Sequence, residues 1–449
     1  MTLHPLAEEK SSLLMGQFTS PIDRRLLLQG IGALLLGSAC NTARESNCAE
    51  QPVAPPPPPL PAGPLAPAAA ESVGMSAARI GDVFARLERR VNDEAFPGFT
   101  ALVARHGKIV GQHAYGKKVR GGDELVTLDT LFDIQSMTKV LSTAISALVL
   151  VDQGKLRLDD PVVKYLAAFT GAGKERVTVR DMLRYSSGLP LDNHFYDDKP
   201  DEIWRKMAET PLEYPPGTKV EYSDLTYRLL GKVIESASGT TLDVFARDAV
   251  WKPLGMTDTT YNPPPALHPR VAATGPTLRR PSMVRGTVQD DQDFVLGGVC
   301  GCDGVFSTVK DVATFCQMVL AGGTYDGKRI LGAELAAAMV SNQTPFVDGA
   351  KVDTSPLLNL VATPKGFGWE LFAPRFSAAG TRFSPGSYGK TGGAGTFMWI
   401  DPTRRLVAVL LTNHGLPVPF DERGWNRLLD EVASGEFFDG VIGAVNDVK

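Results

Sequence analysis

A nearly unbroken apolar run from Val140 to Val151, entered through Phe132-Asp133-Ile134-Gln135-Ser136-Met137-Thr138-Lys139, constrains this chain more than any other stretch. Its residues are almost all Leu, Ile, Val and Ala with small Ser or Thr. Gly154 supplies a stop, because glycine accepts the left-handed conformation that ends helices. A helix that is apolar all round belongs inside a domain. A membrane span needs roughly 20 apolar residues, and Ser142, Thr143 and Ser146 interrupt this run. The stretch reads as a buried central helix with Ser136 and Lys139 in its first turn.

Residues three apart on a helix share a face, so the Ser136 hydroxyl and the Lys139 ammonium can meet. Free N–H groups of the first turn favour negative charge developing there. A serine hydroxyl becomes a useful nucleophile when a neighbouring group takes its proton, and lysine is a known partner. Ser-x-x-Lys alone is a weak signal, since it recurs at Ser307–Lys310 and Ser387–Lys390. Ser307 precedes an apolar-periodic stretch (Val312, Phe315, Val319), with Thr308 and Asp311 at capping-box spacing, so it marks an ordinary helix start. Ser387 lies in a Ser-Pro-Gly-Ser-Tyr-Gly turn that feeds a strand. Only Ser136 opens a buried helix.

The chain is 449 residues long, 43% hydrophobic and 21% charged, which is enough for a substantial core. A net charge of −4 provides no basic field for nucleic acid. Residues 1–40 read as an export signal: Arg24-Arg25 is a twin-arginine pair, followed by an apolar run through Leu36 and then Gly37-Ser38-Ala39-Cys40. Cys40 stands where a bacterial lipoprotein carries its lipid, which would anchor the N-terminus to a membrane. Gly37 replaces the usual leucine, so cleavage after Ala39 fits as well. Residues 41–70, with Pro55 to Pro59 in succession, form a Pro/Ala-rich spacer. Residues 71–449 form the folded domain. Its cysteines are too few for a disulfide framework, and Cys300-Gly-Cys302 has no nearby histidine to complete four metal ligands, so buried free thiols are expected.

Helical periodicity covers Ile80 to Val91. Strands are expected from Phe99 to Ala104 and Lys108 to Tyr115, joined at His106-Gly107, and near the other end at Lys390-Thr391, Thr396–Ile400 and Leu406–Leu411. A last helix spans about Glu422 to Val432. The fold class is α+β, with one antiparallel sheet built from both chain ends plus a helical subdomain. Two further stretches carry chemistry. Pro215-Pro216-Gly217 sets a turn that places Tyr222 on an exposed loop before a helix. Tyr388-Gly389-Lys390-Thr391-Gly392-Gly393 is a glycine-rich strand that lets another backbone or a ligand approach closely.

Ser136-x-x-Lys139, Tyr222-Ser223-Asp224 and Lys390-Thr391-Gly392, in that order, resemble the penicillin-recognising serine hydrolases. These include class C β-lactamases, D-alanyl-D-alanine peptidases and the β-lactamase-like esterases of family VIII. The connectors Ser186-Ser187-Gly188-Leu189-Pro190, Gly304-Val305-Phe306-Ser307-Thr308 and Gly327-Lys328-Arg329-Ile330-Leu331 agree with it. The resemblance implies a β-lactamase/transpeptidase-like fold, an acyl-enzyme on Ser136, and Lys139 with Tyr222 as the proton-handling pair, either of which is the base. It implies an oxyanion hole from the N–H groups of Ser136 and Gly393, and substrate contacts from Asp224, Lys390, Thr391 and Gly392. No metal or organic cofactor is implied.

Asp224 departs from the pattern, where asparagine is usual. An ionised carboxylate only accepts hydrogen bonds and holds a nearby lysine protonated, which favours Tyr222 as the base and esters over β-lactams or peptides. The expected activity is therefore a carboxylesterase on small esters. A β-lactamase or D-alanyl-D-alanine peptidase is the rival, and an inactive ligand-binding module is the reading from another class. No Gly-x-Ser-x-Gly is present, which argues against a lipase-type α/β-hydrolase.

Overall fold

The computed structural model describes residues 64–346, 364–373, 378–418 and 421–446. The expected export signal with Cys40, and the spacer up to residue 63, lie outside them. Seven strands make the main sheet: β1 (Ala66–Pro67), β2 (Gly98–Arg105), β3 (Lys108–Gly116), β4 (Glu370–Leu371), β5 (Tyr388–Gly392), β6 (Thr396–Asp401) and β7 (Leu406–Thr412). Their spatial order is β1-β3-β2-β7-β6-β5-β4. The two chain ends meet at its centre, where β2 pairs antiparallel with β7 from Arg105↔Leu406 to Phe99↔Thr412. His106 and Gly107 both take positive φ, 51° and 74°, as a two-residue hairpin turn requires.

Two details differ from expectation. The sheet is antiparallel except at β1, which runs parallel to β3 with Ala66 opposite Lys108. The folded unit accordingly starts before Glu71, because residues 66–70 of the expected spacer belong to it. Proline is tolerated in β1 because an edge strand need not donate on both sides.

The period of two along the strands sorts residues onto two cores. Phe99, Ala101, Val103, Phe397, Trp399, Leu406, Ala408 and Leu410 face one side, with helix Ala77–Asn92 and the C-terminal helices Glu422–Val432 and Ser434–Gly443. Leu102, Ala104, Met398, Ile400, Val407, Val409 and Leu411 face the other, with the central helix. Both faces are covered, which explains why Leu406–Leu411 reads as a continuous apolar run. Helix Val309–Leu320 packs across β7, β6 and β2. Thr308 caps it by accepting from the Asp311 N–H. The Asp311 carboxylate does not complete a capping box; it accepts from the Asp258 N–H at 2.9 Å and the Thr259 hydroxyl at 3.0 Å.

The apolar run is buried from Lys139 to Leu150, but its start is not regular α-helix. Gln135–Met137 is a 3₁₀ turn, Lys139–Ala144 is π-helical, and α-helix follows from Ile145 to Asp152. Apolar periodicity cannot separate these three windings. Among the described residues no helix is long and apolar enough to cross a membrane. Cys300, Cys302 and Cys316 are free and buried.

Candidate active site

The 3₁₀ turn that carries Ser136 is held from below. Gln135 adopts φ 48°, unusual for a residue with a side chain, and such strain persists only where the surroundings fix it. Asp133 fixes it by accepting from the Gln135 N–H and the Gln135 side-chain amide, both at 3.0 Å, and from the Gln289 N–H at 2.8 Å. Strand β5 reaches the same turn. A Cβ on Gly392 would stand 2.4 Å from the Ile134 carbonyl oxygen, so only glycine lets the strand come this close. Thr396 adds a hydrogen bond to that carbonyl at 3.1 Å. Gly393, just past β5, thereby lies beside the turn that carries the half-buried Ser136, where a Cβ on it would stand 3.8 Å from Gln135 Oε1.

Around Ser136 the expected groups converge. Lys139 Nζ donates to Ser136 Oγ at 2.9 Å and to the Cys302 carbonyl at 3.3 Å, and it lies 2.6 Å from Asp224 Oδ1. Asp224 opens helix Asp224–Ser238, whose cap is the Ser223 hydroxyl accepting from the Thr226 N–H. That loop is tied to the Ser186–Pro190 segment: Ser223 Oγ donates to the Pro190 carbonyl at 2.6 Å and the Asp224 N–H to the Leu191 carbonyl at 2.9 Å. Tyr222 is not on an exposed loop as expected. Its ring is buried, stacked on Tyr185 with centroids 5.3 Å apart, because the Glu221 N–H pins the strand-like segment to the Tyr185 carbonyl. Lys139 Nζ stands 5.0 Å from the Tyr222 ring centroid and Lys390 Nζ 5.2 Å from it. Ser136, Lys139, Tyr222, Asp224, Lys390, Thr391, Gly392 and Gly393 thus come together from three distant stretches.

The family model described as "Beta-lactamase" matches residues 84–433. The chain belongs to the β-lactamase family. Membership makes it a serine hydrolase. A relative in Escherichia coli (strain K12), provisionally named D-alanyl-D-alanine carboxypeptidase, is 31% identical over 385 residues, covering 76% of this chain and 84% of its own. A relative in Bacillus subtilis (strain 168), named N-acetylmuramyl-L-alanine amidase, is 31% identical over 384 residues, covering 77% and 83%. Among solved structures, EstCE1, a hydrolase with promiscuous acyltransferase activity, superposes with a TM-score of 0.63 at 22% identity, over 79% of this chain and 99% of its own. A penicillin-binding protein homologue from Caulobacter crescentus gives 0.62 at 22% identity, over 80% and 97%. The two structures share the β-lactamase-type fold.

Electrostatics refine the site of this β-lactamase-family enzyme. Burial alone would lower the Lys139 pKa, but Asp224 and then Tyr222, Asp303 and Cys302 outweigh it and hold the ammonium well above its ordinary value. Burial would raise Asp224, but Lys139 and Arg228 keep its carboxyl below the usual range. The pair is a buried ion pair. Burial also pushes the Tyr222 phenol well up, with Lys139 only partly offsetting it. The phenol therefore keeps its proton at rest. Asp303, a residue with no sequence signal, sits in the same buried group with its carboxyl pushed well up, first by burial.

Three other residues escaped sequence reasoning. Glu370 in β4 accepts from Lys390 Nζ at 2.5 Å and from Thr391 Oγ1 at 3.0 Å, so the Thr391 hydroxyl expected to meet substrate is directed at Glu370. Lys365 lies buried near the same pair, where burial pushes its pKa down to about 7. Arg228 is fully buried and bonds Asp293, Asp192 (2.5 Å) and Asp290 (3.1 Å). Asp293, Cys302 and Asp303 lie within 4.8 Å of one another, a ligand-like grouping that the sequence reading of Cys302 overlooked. The Arg228 guanidinium already supplies the cation at Asp293.

Proposed function

We propose that this enzyme hydrolyses small carboxylic esters through an acyl-enzyme on Ser136. The observation that carries the reading is the Lys139 ammonium held between Ser136 Oγ and Asp224 Oδ1. Ser136 Oγ attacks the ester carbonyl carbon, the bond to the alcohol oxygen breaks, and the alcohol leaves with a proton. Water then adds to the acyl-serine, releases the acid and returns the proton to Ser136. Tyr222, neutral at rest, relays the proton by accepting that of Ser136 as its own passes to the leaving oxygen. Lys139 steadies the negative charge that builds on Oγ. The Ser136 and Gly393 N–H groups take the oxyanion, where preorganised donors act most strongly.

Asp224 supports esters over amides and β-lactams. Being ionised and paired with Lys139, it offers no donor to a substrate amide carbonyl. Asp224→Asn supplies such a donor and frees Lys139 from its anion. The ratio of kcat/KM for a chromogenic cephalosporin to that for a short-chain nitrophenyl ester should then rise about tenfold, one hydrogen bond's worth of transition-state energy. An unchanged ratio would remove the main support for the esterase reading. The second reading, a D-alanyl-D-alanine peptidase or β-lactamase, is supported by the complete Lys390-Thr391-Gly392 and by the names of the relatives. It predicts that the wild-type enzyme already favours the cephalosporin.

The reading extends to export. Arg24-Arg25 and the following apolar run support delivery across the cytoplasmic membrane. Fractionation should find a shortened protein in the cell envelope, and Arg24→Lys with Arg25→Lys should leave full-length protein in the cytosol. Full-length protein in the cytosol of both strains would reject it.

A further inference from the structure

The group around Lys390 contains one carboxylate that none of the roles above uses. Lys390 is fully buried, and burial pushes its pKa down. The charged groups facing it are Glu370 from β4, Lys139 (5.0 Å from the Tyr222 ring centroid, against 5.2 Å for Lys390), Asp224, and Lys365 from the segment before β4. Two of these are cations and oppose its charge. Glu370 touches it, with Oε1 shared between Lys390 Nζ at 2.5 Å and Thr391 Oγ1 at 3.0 Å. Glu370 is itself buried, and its backbone is fixed opposite Gly389 in the sheet. A carboxylate that accepts from an ammonium makes a strong, directional bond. This one therefore fixes both where the ammonium stands and that it stays charged.

We infer that Glu370 is a positioning residue for the reaction, holding Lys390 charged and aimed at Tyr222 so that the cation can stabilise the proton-relaying phenol. The inference rests on the reading of Ser136, Lys139 and Tyr222 as the catalytic group. Lys390 acts on Tyr222 only while it carries a proton. Removing the Glu370 charge leaves a buried ammonium facing two other lysines, so it gives up its proton at lower pH. Activity that requires the charge is then lost earlier as pH rises, and the alkaline limb of the rate profile moves to lower pH.

The test is the pH dependence of two rates in wild type, Glu370→Gln and Glu370→Asp: kcat/KM for a nitrophenyl ester, and labelling of Ser136 by a fluorophosphonate. Glu370→Gln keeps the shape and removes the charge, so its alkaline limb should lie about one to three pH units below that of wild type. Glu370→Asp, with a shorter reach, should fall between them, and it decides the matter alone where Glu370→Gln does not fold. The shift should persist in a Lys365→Met background, which removes the other lysine that Glu370 faces. Limbs that coincide with wild type, at whatever absolute rate, would overturn the inference, as would a shift that disappears with Lys365. Wild type that labels at Ser136 but turns over no ester would count against the esterase reading and leave this one measurable through the labelling rate.

Discussion

Ser136→Ala should lower kcat/KM by about 10⁴-fold or more while the protein melts within a few degrees of wild type. Removing the nucleophile of a serine hydrolase leaves only the residual rate that oxyanion donors and binding supply. The fold should survive because Lys139 keeps its pairing with Asp224 and its bond to the Cys302 carbonyl. Ser136 is only half-buried, so the lost hydroxyl leaves no large cavity. Mass spectrometry after fluorophosphonate labelling should place the adduct on Ser136. The other two Ser-x-x-Lys serines are poor candidates on structural grounds. Ser307 Oγ is buried against Thr259 Oγ1 at 2.8 Å while Lys310 is exposed, and Ser387 is buried while Lys390 bonds Glu370. A label on either serine, or full activity in Ser136→Ala, would refute the assignment. An unlabelled, inactive wild type would instead favour the binding-module reading.

What could be read from residues alone was whatever leaves a local or periodic trace. The His106-Gly107 hairpin, the buried strands of β6 and β7 and the helix Glu422–Val432 follow from turn chemistry and apolar runs, and all three stand where they were expected. The Ser136–Lys139 contact follows from a spacing of three, even though the local winding is 3₁₀ and then π rather than α. Side chains that matter through partners far along the chain left no such trace. Glu370 lies 20 residues from Lys390 in a two-residue strand, and Arg228 gathers carboxylates 36 to 65 positions away. Nothing in the periodicity around either residue marks it. Tyr222 was misplaced for a related reason: a Pro-Pro-Gly turn predicts a loop, but the pinning by the Tyr185 carbonyl and stacking on the Tyr185 ring are tertiary.

Arg228 carries the largest expected effect on stability. Its guanidinium is fully buried and bonds Asp192, Asp290 and Asp293, the last also fully buried. Arg228→Met keeps much of the volume but strands these carboxylates without their cation. Breaking a buried pair from one side costs about 3–5 kcal/mol, which for a domain of this size is a fall in melting temperature of roughly 5 °C. The deficit should depend on pH in a definite sense. Burial already raises the Asp293 pKa to about 6 with Arg228 present, and removing the arginine raises it further. Between the unfolded value, about 3.9, and that raised value, the native state binds more protons than the unfolded one, so stability falls as pH rises. The gap from wild type should therefore be wider at pH 8 than at pH 5.5. Adding Asp293→Asn to Arg228→Met removes one stranded charge and should recover part of the loss. Activity should fall as well, because Asp192 follows the Pro190–Leu191 carbonyls that hold Ser223 and Asp224 beside Lys139. Melting curves at the two pH values decide it: a deficit independent of pH, or none at all, would mean that Arg228 fills space and balances no charge.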